Sequence, residues 1–234
     1  MERLADGEEL LDGPLDDPAA LAGNLRDLRR INRLLGGAAL SRRAVAALAG
    51  TATDLTILDI GTGAADIPVA LIADAARHGR RVAVVATDSR PEVIAAARSA
   101  RPGLDRLAAL RLETADGRAL PYTDGSFDVV HASLVHHHLP PADATMLIRE
   151  MARVARRGVV VNDLSRGRLA VVGARVLTAV LTRNRLTRHD APLSVRRAYT
   201  IGEMRAFVAV AGLRPVAEIV GLFGHRYAIA AVPA

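Results

Sequence analysis

Two groups of residues in this chain are spaced for chemistry: acids gathered around a glycine turn, and three consecutive histidines. The turn reads Leu58-Asp59-Ile60-Gly61-Thr62-Gly63-Ala64-Ala65-Asp66. Glycines there let backbone approach a ligand closely and adopt turns closed to other residues. Asp59 precedes the turn and Asp66 follows it, where the dinucleotide fingerprint G-x-G-x-x-G would carry its third glycine. Two carboxylates beside the loop repel a pyrophosphate and welcome a sulfonium or ammonium group. Asp88 lies 25 positions after Gly63, where a carboxylate can accept hydrogen bonds from both ribose hydroxyls. Asp116, in Ala115-Asp116-Gly117, is placed to accept from an exocyclic amine such as that of adenine. Each acid alone also reads as a turn or cap residue. Four of them at strand ends are taken together.

His136-His137-His138 directly follow an apolar run. An imidazole titrates near neutrality, so a histidine at this place is a candidate general base, with His137 first and His138 second. A structural role with imidazoles bonded to backbone competes with that reading. A metal site is disfavoured, because consecutive residues point in different directions. His189-Asp190 is a second candidate base with a carboxylate to orient it, or else a loop turn.

The elements that must position these residues alternate. Asp17 can cap a helix opened by Pro18, with Leu21, Leu25, Leu28, Ile31 and Leu35 at helical spacing and an end at Gly36-Gly37. Ser41 is expected to cap a second helix through Leu48. Apolar runs at 55–60, 82–87, 110–114, 127–132 and 159–162 read as buried strands, separated by helices at 67–78, 89–100 and 142–156. Ser89-Arg90-Pro91-Glu92 and Thr200-Ile201-Gly202-Glu203 are expected capping boxes. Residues 168–182 read as an apolar helix followed by an arginine-rich connector. The strands at 216–220 and 226–232 are joined by a turn too short for a parallel crossover, so they pair antiparallel. The expected fold is α/β, a seven-stranded, mostly parallel sheet with one antiparallel strand and helices on both faces.

Composition excludes much. The 234 residues are 50% hydrophobic, enough for one sizeable core. There is no cysteine, hence no disulfide, thiol nucleophile or cysteine-ligated metal. All 31 basic residues are arginine, so Schiff-base lysines and the P-loop lysine are absent. A net charge of +6 admits nucleic acid, membrane surfaces or anionic substrates, but 3% aromatics leaves few stacking platforms for single strands. No apolar stretch reaches the about 20 residues of a membrane span. The N-terminus is acidic and polar, unlike a signal peptide, and a cytoplasmic protein is expected.

The segments LDIGTGAADIP (58–68), ATDSRPEVIAAAR (86–98) and ADGRALPYTDGSFDVVHASLVHHHL (115–139) resemble the class I S-adenosylmethionine-dependent methyltransferases. The likeness is to the small-molecule branch similar to the ubiquinone and menaquinone methyltransferases. It covers residues 50–163, and the ending at 200–234 fits that family's reversed final strand. It implies a Rossmann-like fold and S-adenosylmethionine as cofactor. The loop of Asp59, Gly61, Thr62, Gly63 and Asp66 would face the methionine part. Asp88 would hold the ribose with Ser89 beside the adenine. Asp116 and Gly117 would contact the adenine, and Ser133 would start the segment under the methyl donor. Residues 1–50 are then expected as a helical lid segment and 51–234 as the methyltransferase domain, with a lid insert at about 165–199. Ala132-Ser133-Leu134-Val135 stands where nucleic-acid amino-methyltransferases carry an Asn/Asp-Pro-Pro-aromatic motif, which makes nucleic acid an improbable partner. The apolar insert and Arg166, Arg168, Arg196 and Arg197 suggest a greasy pocket able to receive an anionic head group. The expected reaction is methyl transfer to a hydroxyl oxygen of a small apolar, aromatic or polyketide-like molecule. Carbon methylation of a phenol or enol is an alternative, as is a non-catalytic cofactor-binding module that contacts a partner protein.

Overall fold

A computed structural model describes residues 1–234. The strands are β1 (Asp54–Ile60), β2 (Arg81–Asp88), β3 (Leu110–Thr114), β4 (Phe127–Ser133), β5 (Ala155–Leu164), β6 (Leu213–Val220) and β7 (Arg226–Pro233). They form a single sheet in the order β3-β2-β1-β4-β5-β7-β6. Only β7 is reversed, antiparallel to both β5 and β6, as expected from the short connection before it. Chain order changes direction between β1 and β4. In such sheets the crevice beyond the strand carboxyl ends at that point receives ligands.

The helices are α1 (Pro18–Leu34), α2 (Gly37–Ala49), α3 (Asp66–Arg77), α4 (Pro91–Ala100), α5 (Pro141–Val154), α6 (Arg168–Leu181), α7 (Arg185–Arg197) and α8 (Ile201–Val210). The central strands are apolar on both faces because both are covered. On one side α2 and α3 bury Leu40, Leu48 and Leu71 against Ile57, Val84 and Val160. On the other, α5 and α8 bury Leu147, Met151 and Met204 against Leu58, Val130 and Ile229.

Several local expectations are corrected. Gly36 does not simply end α1; it is left-handed, at φ 77°, and Gly37 already begins α2. Ser41 is therefore inside α2, not at its cap, and its hydroxyl points into the core towards His131 and Asn162. The Ser89–Glu92 capping box does not form. Pro91 holds Arg90 extended at the cap position, and the Arg90 N–H donates to Asp88 instead. The Thr200–Glu203 box is present as read. β5 starts at Ala155, four residues earlier than its apolar run. The arginine-rich connector is the helix α7, whose cap Asn184 accepts from the Thr187 N–H.

Of the first 50 residues, α2 belongs to the layer on the sheet, packed on β4, β5, β6 and β7. Residues 1–17 and α1 lie over the strand ends instead. The first segment carries no regular element and works as a strap. Leu4 N–H donates to Arg196 O, the Leu10 and Leu11 N–H groups donate to the Asp190 carboxylate, and Arg90 donates to Leu11 O and Gly13 O.

Candidate active site

The carboxyl ends of β1, β2, β4 and β5 floor a cavity of about 1070 Å³. Residues of the strap, α1, α6 and α7 also line it, so the lid and the glycine turn face one space. Its apolar wall includes Leu25, Leu28, Ile31, Leu35, Leu169 and Leu177.

The turn after β1 is shaped by backbone requirements. Gly61 has φ 66° and Gly63 φ 53°. A Cβ at Gly61 would overlap Val135 Cγ2, and the left-handed backbone there favours glycine as well. The Thr62 N–H donates to Thr87 O, and its hydroxyl is buried with no hydrogen-bond partner. Asp88 ends β2 with one oxygen accepting from the Gly63 N–H at 3.1 Å and the other from the Arg90 N–H at 3.2 Å. Burial raises its carboxyl, and the charge of Asp59 raises it further. Asp66, the first residue of α3, is raised for the same two reasons in the same order of importance, although Asn32 donates to it. The three acids therefore crowd one loop, as the spacing implied, and a cation bound there would relieve their mutual repulsion.

Asp116 and Gly117 lie at the same cavity, below β3. Asp116 is exposed, and its oxygens accept from the Arg118 N–H and guanidinium; these bonds hold the carboxyl below its usual range. A Cβ on Gly117 would meet Ile60 Cγ2 at 2.7 Å, so glycine is required by packing. Ser89 is exposed at the rim, and Ser133 ends β4 with its hydroxyl accepting from Arg226 at 2.8 Å. Leu134 then takes φ 59°, turning the chain sharply into the histidines.

Those histidines form one turn of 3-10 helix and divide in role by environment. His136 is fully buried away from the cavity, and burial lowers its pKa to about 4, so it is a neutral core residue. His137 faces the cavity with Nδ1 2.7 Å from Asp163 Oδ1. Asp163 also accepts from the His137 and Leu164 N–H groups. Burial works to raise its carboxyl, but the charge and hydrogen bond of His137 prevail and hold it at about 2. That ionised partner fixes the proton on Nδ1 and leaves Nε2 as the basic atom. Nε2 makes no hydrogen bond; the Glu9 carboxylate is 4.0 Å away. His138 Nδ1 stands 2.8 Å from Asp12 of the strap. Burial would lower its pKa, yet Asp12 and Glu9 raise it.

Glu9, His137 and His138 bring ligand atoms within 4.8 Å of one another. The rings of His137 and His138, however, stack at 4.2 Å with planes only 35° apart. The Arg197 guanidinium already stands 3.3 Å from Glu9. The cluster is an ion-paired clasp for the strap.

His189 and Asp190 do pair, at 2.8 Å. The imidazole is half-exposed and outside the cavity wall, while Asp190 holds the strap amides, so this pair is a tether rather than a base. Two of the four arginines expected to take an anionic head group are engaged elsewhere. Arg166 pairs with Glu203, and Arg197 with Glu9 and Asp12.

Sequence reasoning missed a buried polar chain beneath the loop. Asp59 Oδ1 is 2.6 Å from His131 Nδ1, and His131 Nε2 is 2.8 Å from Ser41 Oγ. Asn162 donates to Ser41, and Arg226 donates to Asn162, Asn32 and Ser133. Asn32 then donates to Asp66, closing a path from one end of the turn to the other. Arg226 is completely buried, and that burial lowers its pKa to about 10. Its only sequence signal was a charge opening an otherwise apolar strand.

Comparison with known proteins agrees with this geometry. Residues 57–158 match the family described as a methyltransferase domain. The demethylmenaquinone methyltransferase of Deinococcus radiodurans is 34% identical over 117 residues, which cover 50% of this chain and 45% of that protein. The chain thus spans less than half the length of that curated relative. A solved S-adenosylmethionine-dependent methyltransferase from Aquifex aeolicus shares the fold, with TM-score 0.63, 19% identity, and 92% and 97% of the two chains covered. So does an O-methyltransferase family 2 protein from Planctomyces limnophilus in complex with apigenin, with TM-score 0.62, 19% identity, and coverage of 92% of this chain and 65% of that one. The chain has the fold of solved S-adenosylmethionine-dependent methyltransferases, and its residues 57–158 match a methyltransferase domain. Over 117 residues it is similar to a demethylmenaquinone methyltransferase. The cavity fits S-adenosylmethionine, the cofactor of those solved proteins: a cradle that excludes a Cβ at Gly61, an unpartnered Thr62 hydroxyl, and acids able to face a cation and a ribose.

Proposed function

We propose that this protein transfers a methyl group from S-adenosylmethionine to a hydroxyl oxygen of a small apolar, aromatic molecule. The observation that carries the reading is the His137–Asp163 pair, with Nδ1 engaged at 2.7 Å and an unbonded Nε2 on the wall of the apolar cavity.

When bound, S-adenosylmethionine supplies an electrophilic methyl group on a sulfonium. The backbone of Gly61, Thr62 and Gly63 and the acids Asp59 and Asp66 hold its methionine end. Asp88 would accept from the ribose hydroxyls, Ser89, Asp116 and Gly117 would border the adenine, and Ser133 would lie near the methyl donor. His137 Nε2 takes the proton of the acceptor hydroxyl, while Asp163 keeps Nδ1 protonated and stabilises the imidazolium that forms. His138 is held by Asp12 and acts through the strap rather than on the acceptor. The apolar walls from α1 and α6 exclude water and align the acceptor. Alignment of this kind supplies several kcal/mol of the barrier.

The likeness to a demethylmenaquinone methyltransferase favours a second reading, methylation of a ring carbon beside a phenolic hydroxyl. The same base would serve it, by raising electron density in the ring.

The test is a panel of phenols and hydroquinones incubated with donor carrying a carbon-13 methyl group, the product being read by NMR. A methoxy product is expected, whereas a methyl on ring carbon would establish the second reading. Asp163→Asn is expected to lower turnover about a hundredfold or more by releasing the tautomer, with homocysteine-product affinity unchanged. Full turnover in both His137→Ala and Asp163→Asn would refute the assigned base.

A further inference from the structure

The exposed side of α6 is apolar where a water-facing helix is normally polar. Leu169, Val172, Val176 and Val180 follow one another at spacings of three, four and four, and are 88%, 56%, 60% and 78% exposed. Beside the mouth of the cavity, the turn between β6 and β7 adds Leu222, 73% exposed, and Phe223, 92% exposed. Phe223 takes φ 63°, an unusual conformation for an aromatic residue, and this backbone presents the ring to solvent. Leu169 and Phe223 also line the cavity, so the outer patch and the inner wall are continuous.

Charge surrounds the patch. Between Asp163 and Asp190 the chain has no acidic residue and six arginines, at 166, 168, 175, 183, 185 and 188. Only Arg166 is ion-paired, with Glu203. Arg168 and Arg175, seven residues apart, border the apolar stripe on one side. Arg183, Arg185 and Arg188 stand exposed beyond its C-terminal end. On α1, across the cavity from α6, Arg29, Arg30 and Arg33 add exposed charge of the same sign.

We propose that this face is an interfacial docking surface for an anionic lipid bilayer, with the cavity mouth opening onto the membrane. An apolar stripe with arginines at its edge is the pattern of a helix lying in the headgroup plane, and each arginine gains from anionic lipid. The helix has 14 residues, and no helix of the protein is long and apolar enough to cross a membrane, so it lies on the surface. A second copy of this chain fits worse, because unpaired arginines would face unpaired arginines. A nucleic acid would engage the arginines and leave the apolar stripe without a partner. The surface stands whichever acceptor the cavity takes. For a lipophilic acceptor it also supplies a route that avoids water.

The test is co-sedimentation of the full chain with vesicles of phosphatidylcholine alone and of equal parts phosphatidylcholine and phosphatidylglycerol. The protein is expected to pellet with the anionic vesicles at least about tenfold more strongly, and less so as salt is raised. Val180→Ser combined with Leu222→Ser lies outside the cavity wall. It should weaken the association about tenfold or more while leaving S-adenosylhomocysteine binding unchanged. No association with either vesicle, or equal association with both, overturns the proposal. So does a dimer in light scattering that Val180→Asp dissociates, because the face would then be covered by a second copy.

Discussion

At the scale of the residue, function here depends on which hydrogen-bond capacity is left open. Asp88 has given one lone pair of each oxygen to the Gly63 and Arg90 amides, so its remaining acceptors are aimed by backbone. Replacing it with alanine removes the proposed ribose acceptor and frees the Gly63 amide at once. The expected result is a roughly 10- to 100-fold weaker affinity for S-adenosylhomocysteine, from hydrogen bonds to a charged group worth about 1.5–3 kcal/mol. Calorimetry with the variant measures it, and unchanged affinity would remove Asp88 from the site. That Asp59, Gly61, Gly63, Asp66 and Asp88 gather at one loop was legible from their types and spacing. Asp163 was not. It is one acid at the end of a buried strand, and only the turn of the chain through Leu134 brings His137 to it.

At the scale of the element, the strap joins the histidine turn to α7. Asp12 lies between His138 and Arg197, and these two cations outweigh burial and hold its carboxyl well below the usual range. His138 is shifted the other way, above the ordinary imidazole value of about 6.5. Its contribution is therefore complete below pH 6.5 and is lost as pH rises through the higher folded pKa. Amide exchange of Leu10, Leu11 and Asp12 should accelerate as pH rises through that range beyond the intrinsic chemical rate, and His138→Gln should abolish the step. Exchange that follows the intrinsic rate in the unaltered protein would show that His138 does not clasp the strap. Strands and most helices were readable because apolar runs and helical spacing repeat locally. α7 reads as a connector because four of its 13 residues are arginine and Pro192 stands inside it. Ser41 was read as a cap because serine is a good one, but its hydroxyl is spent on β4 and β5.

At the scale of the whole molecule, Arg226 binds together parts of the chain that no local pattern connects. Its guanidinium meets Asn32, Ser133 and Asn162, the first of these 194 positions away. Arg226→Met would leave three buried polar atoms without their donor and remove the positive charge nearest Asp66. A loss of about 3 kcal/mol in unfolding free energy is expected, read from the urea midpoint. A midpoint equal to that of the unaltered protein would show that the network is dispensable for stability. The mostly parallel sheet and its reversed strand were legible in the sequence, since the connection before β7 is too short for a parallel crossover; the strand order was not. A polar path that crosses seven elements could be seen only once the chain was folded.

The strap has a consequence for the order in which the molecule is assembled. Arg3 and Arg197 are 194 positions apart, and Leu10 reaches Asp190 across 180. Contacts between such remote partners close late, after the loop entropy of the intervening chain has been overcome. A ribosome that has reached β5 has already produced every strand-end acid and the glycine turn, yet none of the roof's anchors in α7. The nascent chain therefore passes through an interval in which the cleft is roofless, and translation of the last third of the message completes the enclosure.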